Sequence, residues 1–156
     1  MRINEFLDNV NIFIQKPIVT FNVDMKLFNQ KNYRKLYNEK IREKVQDKFG
    51  IYIWADSQTQ ELFYIGKAGT IKNDGSFGNH TLKKRLIATR GKNEKTKKDI
   101  LTNDYVRDFM LKNRITSLNF YVIYTLDGIS PTYVESILLN EFYKQNKYLP
   151  ILNNSF

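Results

Sequence analysis

Apolar residues recur along the chain with two different spacings, and these spacings predict both strands and helices. Residues 30–48 carry an apolar side chain every three or four positions, which is typical of a helix with one buried face. Residues 118–126, LNFYVIYTL, contain the uninterrupted apolar run FYVIY and predict a buried strand. Residues 131–145 begin with Pro131, a residue favoured at the first position of a helix, and predict a second long helix.

Shorter segments complete the predicted fold. Residues 12–23 are rich in Ile, Val and Phe and predict one or two strands interrupted at Pro17. Residues 68–80 carry several glycines and predict a loop, whereas 81–90 and 95–112 predict two basic helices. We therefore expect an α+β fold, with a small and largely antiparallel central sheet flanked by helices. The sheet is expected to contain a hairpin and a third strand.

The hairpin is predicted from GIYIWA (50–55) and ELFYIG (61–66), which are joined by a five-residue polar turn. The expected register places Tyr52 directly opposite Tyr64. The side chains expected to share the core face are Ile51, Ile53, Phe63 and Ile65. The side chains expected on the opposite face are those of both tyrosines, Trp54 and Leu62. An aromatic pair of this kind is typical of ordinary strand packing as well as of a functional site.

The hairpin also resembles a known family. Gly50-Ile51-Tyr52 and Tyr64-Ile65-Gly66, separated by eleven residues, are similar to the motif of the GIY-YIG nucleases at its usual spacing. Further along, Arg85 ends an L-x-x-R helix segment, Glu135 lies on a later helix and Asn153 follows a proline, as that family expects. The agreement covers residues 50–153.

One position departs from the family pattern. Many members have a histidine four residues after the arginine, where this chain has Thr89. The chain's one histidine, His80, precedes Arg85 instead. A subset of restriction enzymes in the family uses a lysine just after the second tripeptide, and Lys67 fits that arrangement.

The resemblance implies a role for each matched residue. It implies that Tyr52 is the general base and that Tyr64 orients water or substrate. Lys67 and Arg85 would stabilise charge on the phosphate, and Glu135 would hold one Mg²⁺ or Mn²⁺ ion per active site. His80 is expected at the mouth of the site, against phosphate or water. The residues expected to support the site are Gly50, Gly66 and Asn153.

Glu135 is also singled out by its place on the predicted helix. A helical wheel puts it on one stripe with Leu138, Leu139 and Phe142, so its carboxylate faces inward. A carboxylate in that position costs free energy unless it is paired or bound to metal. The pattern is therefore typical of a metal ligand or of a buried salt bridge, for instance with Arg85.

Composition and charge narrow the class of protein. The 156 residues include no cysteine, which excludes disulfide scaffolds and Cys-ligated zinc. The net charge is +9, and residues 67–98 account for +8 of it, with ten basic and two acidic residues. Such a segment is typical of phosphate contacts, or of a solvated lysine-rich surface. The cations expected to bind DNA are Lys72, Lys83, Lys84, Arg90 and Lys92.

These features predict a metal-dependent DNA endonuclease. The subtype they favour is a compact, sequence-specific type II restriction enzyme. The alternatives are a structure-specific repair or mobile-element nuclease and a non-catalytic DNA-binding module. The expected partner is double-stranded DNA, and a homodimer would allow a palindrome to be cut. We expect a single domain over residues 1–156, with 1–48 as an N-terminal extension of a 49–156 core. The chain has no bilayer-length apolar run and no signal-peptide pattern, so no membrane partner and a cytoplasmic location are expected.

Overall fold

A four-stranded antiparallel sheet forms the centre of the structure, a computed structural model that describes residues 2–78 and 80–154. Within those residues the strands are β1 (Val19–Asp24), β2 (Gly50–Asp56), β3 (Leu62–Ala68), β4 (Thr70–Ile71), β5 (Phe77–Gly78), β6 (Thr89–Lys92), β7 (Asp99–Leu101) and β8 (Ser117–Tyr124). The central sheet has the order β1-β8-β2-β3, while β4 with β5 and β6 with β7 form two small separate sheets. The α+β prediction is confirmed, and β1 adds a fourth strand to the three expected.

Helices cover both faces of this sheet. They are α1 (Ile3–Leu7), a 3₁₀ helix (Asp8–Phe13), α2 (Met25–Phe28), α3 (Tyr33–Lys44), α4 (Leu82–Ile87), α5 (Thr102–Lys112) and α6 (Pro131–Asn146). The predicted long helices are present as α3 and α6, and Pro131 is indeed at the start of α6. Among the described residues, no helix combines the length and the apolar character needed to cross a membrane.

The sheet separates two apolar cores. On what we call the α3 face, Tyr52 and Trp54 pack with buried residues of α3, α4 and α5. On the α6 face, Ile51 and Ile53 pack with buried residues of α1, the 3₁₀ helix and α6. Because both faces are covered, β2 and β8 are apolar along nearly their whole length instead of alternating with polar residues. This explains the uninterrupted apolar run that identified β8 in the sequence.

The hairpin register differs from the expected one by two residues. Tyr52 is opposite Gly66, and Tyr64 is opposite Trp54, so the prediction that the two tyrosines face each other is wrong. A shift of two preserves the face of each side chain. Both tyrosines therefore remain on the α3 face as diagonal neighbours, with ring centroids 5.4 Å apart.

A bulge in β3 changes the faces of two other side chains. The register shifts between Trp54 and Ala55, which leaves Phe63 without a partner on β2. Phe63 consequently lies on the α3 face, with its ring centroid 5.1 Å from that of Phe109. Leu62 lies on the α6 face instead. The expected faces of Phe63 and Leu62 were thus the reverse of those observed.

The segment between α4 and α5 also differs from the prediction. The helix predicted over 81–90 ends at Ile87, and the helix predicted over 95–112 begins at Thr102. Residues 92–98 contain no apolar side chain, so a helix there would have no face to bury. The chain instead forms the β6–β7 hairpin. Similarly, the predicted loop 68–80 contains the small β4–β5 hairpin.

The N-terminal residues contribute to the central sheet. β1 pairs with β8 over six residues, from Val19 opposite Val122 to Asp24 opposite Ser117. The strand predicted before Pro17 is replaced by the 3₁₀ helix and by an isolated bridge between Ile14 and Thr125. Residues 2–48 therefore supply one edge of the sheet and part of both apolar cores.

We predict that Gly50→Ala destabilises the fold. A Cβ at Gly50 would lie 2.0 Å from the carbonyl oxygen of Ile123 on the adjacent strand, and a backbone atom cannot rotate away. Overpacking of this kind costs about 1–3 kcal/mol. Chemical denaturation should show that loss. Lys31→Ala is the control, because Lys31 is exposed in a turn outside the central sheet; an equal loss in both variants would contradict the prediction.

Candidate active site

A cavity of about 410 Å³ lies at the open edge of β3, between the start of α4 and the first turns of α6. Its lining residues are Tyr64, Lys67, Ala68, Gly69, Thr70, His80, Arg85 and Glu135. A second cavity of about 640 Å³ adjoins it and shares Tyr64, Arg85 and Glu135. Five of the six residues expected to be catalytic therefore line the first cavity, although they are as much as 71 positions apart in the sequence.

Tyr64 and Lys67 reach this cavity from opposite faces of the sheet. Tyr64 packs on the α3 face, whereas Lys67 donates a hydrogen bond of 2.6 Å from Nζ to Oγ1 of Thr132 on α6. β3 is an edge strand, so side chains from its two faces can meet at its open side. The hydrogen bond to Thr132 fixes the Lys67 ammonium at the cavity and leaves two of its three donors for other partners.

Gly66 allows the two tyrosines to pack where they do. A Cβ at this position would lie 2.4 Å from Cε1 of Tyr64 and 2.7 Å from Cζ of Tyr52. Both rings lie over the bare backbone of Gly66, and any side chain there would displace them. The glycine of the second tripeptide is thus required by the position of Tyr64 at the cavity.

Glu135 brings one carboxylate into the cavity. It is half-buried on α6, beside the buried Leu138 and Leu139. Burial raises the pKa of Glu135, while the nearby Lys67 and Arg85 oppose that rise. No cation among the described residues lies within 4.0 Å of its oxygens, so the alternative of a salt bridge with Arg85 is not realised. The carboxylate is left available for a ligand.

Arg85 faces the same space from the last turn of α4. Its side chain is half-buried, and its buried Nε has no hydrogen-bond partner in the described part of the chain. An unpaired buried donor is costly, because it has lost its hydration without compensation. Because Arg85 also lines the first cavity, its guanidinium is available to an anion bound there.

Tyr52 does not line either cavity. Its side chain is 1% exposed beneath Tyr64, and its hydroxyl accepts a hydrogen bond of 2.9 Å from Nη1 of Arg90. Burial raises the pKa of Tyr52 to about 12, although Arg90 lowers it. Tyr52 is therefore protonated at neutral pH and is separated from the cavity by other side chains. The role of Tyr52 as the general base stays a prediction of the motif resemblance.

Arg90 is held within a group of aromatic rings. Its guanidinium carbon lies 5.0, 4.6 and 4.7 Å from the ring centroids of Trp54, Tyr64 and Tyr105. It lines the second cavity while also hydrogen-bonding Tyr52. The residue expected as a surface phosphate contact is thus a packed cation that fixes the positions of both tyrosines.

The other cations expected to bind DNA lie outside both cavities. Lys72, Lys84 and Lys92 are exposed, and Lys83 is half-buried on α4. His80 is exposed and lines the first cavity just before α4. The exposed lysines surround the site without forming part of its wall.

Asn153 supports the outer edge of β3. Its Oδ1 accepts a hydrogen bond of 3.0 Å from the backbone N–H of Ile65, and its Nδ2 donates one of 2.8 Å to the carbonyl of the same residue. The backbone N–H of Leu152 donates to the carbonyl of Phe63 at 2.9 Å. The C-terminal segment thereby holds the strand that carries Tyr64 and Lys67.

The residues present fit a divalent cation bound mainly through water. The described residues contain no group of three or more His, Asp or Glu side chains that could hold a metal ion. Glu135 nevertheless supplies a carboxylate without a protein partner. Mg²⁺ usually keeps several waters and is bound through one or two carboxylates together with phosphate oxygens of the substrate. Glu135 is the one side chain in the first cavity suited to that role.

Two residues of the site, Thr132 and Tyr105, could not be identified from the sequence, and Arg90 was expected only as a DNA contact. Thr132 anchors Lys67, and the Tyr105 ring packs against Arg90 beside the second cavity. Arg90 lies in the basic segment, but nothing in its neighbours distinguishes it from the exposed lysines there. Its role depends on rings from three separate elements.

Comparison with known proteins adds no relative. No protein-family model, no curated protein and no solved structure matches the chain. Function is therefore inferred from the residues that line the two cavities and from the charge around them. The resemblance to the GIY-YIG nucleases remains an expectation drawn from short motifs.

We predict that Glu135→Gln stabilises the protein in the absence of divalent cations. The pKa of Glu135 is raised in the folded state, so ionisation above that pKa costs folding free energy that the amide does not pay. At about pH 7 in EDTA the variant should melt a few degrees higher than the wild type. The difference should shrink as the pH falls through the range where Glu135 becomes protonated.

Addition of Mg²⁺ should raise the melting temperature of the wild type and leave Glu135→Gln unchanged. Glu141→Gln is the matched control, since it removes a carboxylate from the same helix outside the cavities. A lower melting temperature for Glu135→Gln in EDTA would contradict the prediction.

We also predict strong coupling between Arg90 and Tyr52. Arg90→Leu leaves the buried Tyr52 hydroxyl without its donor, which costs about 1–3 kcal/mol of stability. Tyr52→Phe in the same chain removes that hydroxyl and should restore part of the loss. Urea denaturation of the two single variants and the double variant measures the coupling, and additive losses would show that the contact contributes little.

Proposed function

We propose that this protein is a metal-dependent DNA endonuclease and that its subtype is a compact, sequence-specific restriction enzyme. The observation that carries this proposal is the meeting of Tyr64, Lys67, His80, Arg85 and Glu135 in one cavity. They come from β3, the segment before α4, α4 itself and α6. Four of them, Tyr64, Lys67, Arg85 and Glu135, are positions that the resemblance to GIY-YIG nucleases implies, and His80 is the chain's one histidine.

The charges of the cavity suit a phosphodiester. Two cations, Lys67 and Arg85, face one carboxylate, Glu135, so the wall is positive on balance. Arg85 lines the cavity, so its guanidinium would donate hydrogen bonds to a phosphate oxygen there. Lys67, positioned by Thr132, would bind a second oxygen of the same phosphate. Together they would stabilise the negative charge that increases at the phosphoryl oxygens during hydrolysis.

Glu135 would hold the metal ion. When bound, Mg²⁺ or Mn²⁺ supplies charge neutralisation at the phosphate and promotes deprotonation of water. The half-buried Glu135 carboxylate lines the same cavity as Lys67 and Arg85, and it would keep that charge beside the phosphate site.

Tyr64 is the tyrosine that would contact the attacking water. Its half-buried hydroxyl-bearing ring lines both cavities, and a phenol both donates and accepts hydrogen bonds. His80 is exposed, lines the same cavity and would contact phosphate or water there. Tyr52 is buried and protonated, and its hydroxyl accepts a hydrogen bond from Arg90. Arg90 in turn packs against the Tyr64 ring.

The experiment is incubation of unmethylated phage DNA with the protein and Mg²⁺. We expect a set of discrete fragments, abolished by EDTA. Glu135→Gln should lower the rate by at least about 100-fold, because it removes the carboxylate that holds the ion. Glu141→Gln, on the same helix, should cleave at the wild-type rate.

Other outcomes would decide against the proposal. Duplex binding without cleavage in Mg²⁺ or Mn²⁺ would indicate a DNA-binding module. Cleavage of branched or nicked DNA alone would indicate a structure-specific nuclease. Cleavage that Glu135→Gln leaves unchanged would show that the cavity is not the active site.

A further inference from the structure

The segment between α4 and α5 forms a small two-stranded ribbon beside the site. We call residues 89–101 the basic ribbon. Its strands β6 and β7 pair in an antiparallel manner, from Thr89 opposite Leu101 to Lys92 opposite Asp99. Residues 91–99 are all exposed. The ribbon therefore contributes little to the apolar cores, and its sequence is free to serve another purpose.

The tip of the basic ribbon has a defined conformation. Oδ1 of Asn93 accepts hydrogen bonds from the backbone N–H groups of Lys95 and Thr96, at 2.9 and 3.0 Å. The backbone of Asn93 also accepts from Lys97 and donates to Lys98, both at 2.9 Å. These four bonds close the turn, so the lysines at the tip are presented from a fixed backbone.

The positive charge of the ribbon is not neutralised within the chain. Lys92, Lys95 and Lys97 are exposed, and none lies within 4.0 Å of a carboxylate among the described residues. Glu94 is the one acid between them. Lys98 differs, because it lines a cleft that also contains Asp104 and Asp108. Asp99 is the cross-strand partner of Lys92, but residues 89–101 still carry five basic side chains against two acidic ones.

The base of the ribbon belongs to the wall of the candidate active site. Thr89, Arg90 and Gly91 line the second cavity together with Arg85 and Glu135. The base is closed by a hydrogen bond of 3.1 Å from the backbone N–H of Thr102 to the carbonyl of Ala88. Arg90, fixed among its aromatic rings, anchors the first strand. The ribbon is therefore held in position relative to the cavity.

We propose that the basic ribbon lies in a groove of duplex DNA and that Lys92, Lys95 and Lys97 contact backbone phosphates flanking the one in the cavity. The proposal rests on the proposed function for the identity of the ligand. The major groove, about 12 Å wide, admits a two-stranded β-ribbon. From Arg90 to Lys95 the chain spans up to roughly 16 Å, and a duplex carries one charge per ~1.7 Å of its axis. The tip lysines thus lie within reach of several phosphates.

The test measures the salt dependence of duplex binding for Lys92→Gln/Lys95→Gln/Lys97→Gln. Fluorescence anisotropy with a labelled duplex in EDTA, between about 50 and 200 mM salt, gives the slope of log K against log salt concentration. Loss of three phosphate contacts should reduce the magnitude of that slope by about 3, or about 0.9 per contact. Affinity at the lower salt concentration should fall by about tenfold or more.

The matched control is Lys26→Gln/Lys31→Gln/Lys112→Gln. It removes the same charge from exposed positions on or next to α2 and at the end of α5, so it reproduces the change in net charge alone. The control slope should change by less than about 1. Equal changes in the two triple variants would overturn the proposal. Single-stranded DNA that binds as tightly as the duplex, and loses as much affinity in the ribbon variant, would also overturn it.

The experiments distinguish failure of the ribbon contact from failure of the proposed nuclease activity. Ribbon-dependent duplex binding without any cleavage would support the ribbon contact and overturn the proposed activity. Glu135-dependent cleavage with binding that the ribbon variant leaves unchanged would do the reverse. A wild-type protein that does not bind duplex DNA would overturn the ribbon contact, and the phage DNA assay would then decide the activity by itself.

Discussion

Burial of both faces of the central sheet is the constraint on which the site depends. Because helices cover the α3 face and the α6 face, polar side chains from the sheet can meet solvent mainly at its edges. At the open side of β3, Tyr64 from one face and Lys67 from the other reach a single cavity. Helices α4 and α6, each packed on a different face, bring Arg85 and Glu135 to the same edge. Packing of the helices on both apolar faces thereby brings the polar side chains of the site together at one edge of the sheet.

The positive charge of the chain is divided among three physical situations. Lys67 and Arg85 line the cavity, where a bound anion would satisfy them. Arg90 is surrounded by aromatic rings and serves the packing of the tyrosines. The lysines of the basic ribbon are exposed and unpaired. Net charge indicated a polyanionic partner. The position of each cation in the structure is needed to tell which ones could attract that partner, which position the tyrosines and which could contact a phosphate directly.

Much of the fold and part of the site could be predicted from local patterns. Helical spacing located α3 and α6 and directed Glu135 inward, and the apolar run identified β8. The hairpin register could not be predicted, because it is set by a bulge at Phe63. That bulge depends both on the turn of the hairpin and on the contact of Phe63 with Phe109, which is distant in the sequence. The basic ribbon was missed because lysine-rich segments fit a helix by propensity, and the absence of a buried face decided otherwise. The packing of Arg90 among aromatic rings could not be predicted, because those rings come from distant elements.

Asn153 has a consequence for how copies of this protein can associate. An edge strand with free backbone groups is a template for pairing with another chain. At β3, the amide of Asn153 occupies the N–H and carbonyl of Ile65, and Leu152 occupies the carbonyl of Phe63. These are the groups that a second strand would need. A continuous sheet across two molecules through β3 is therefore blocked, and a dimer that cuts both strands of a duplex would have to form through a different surface.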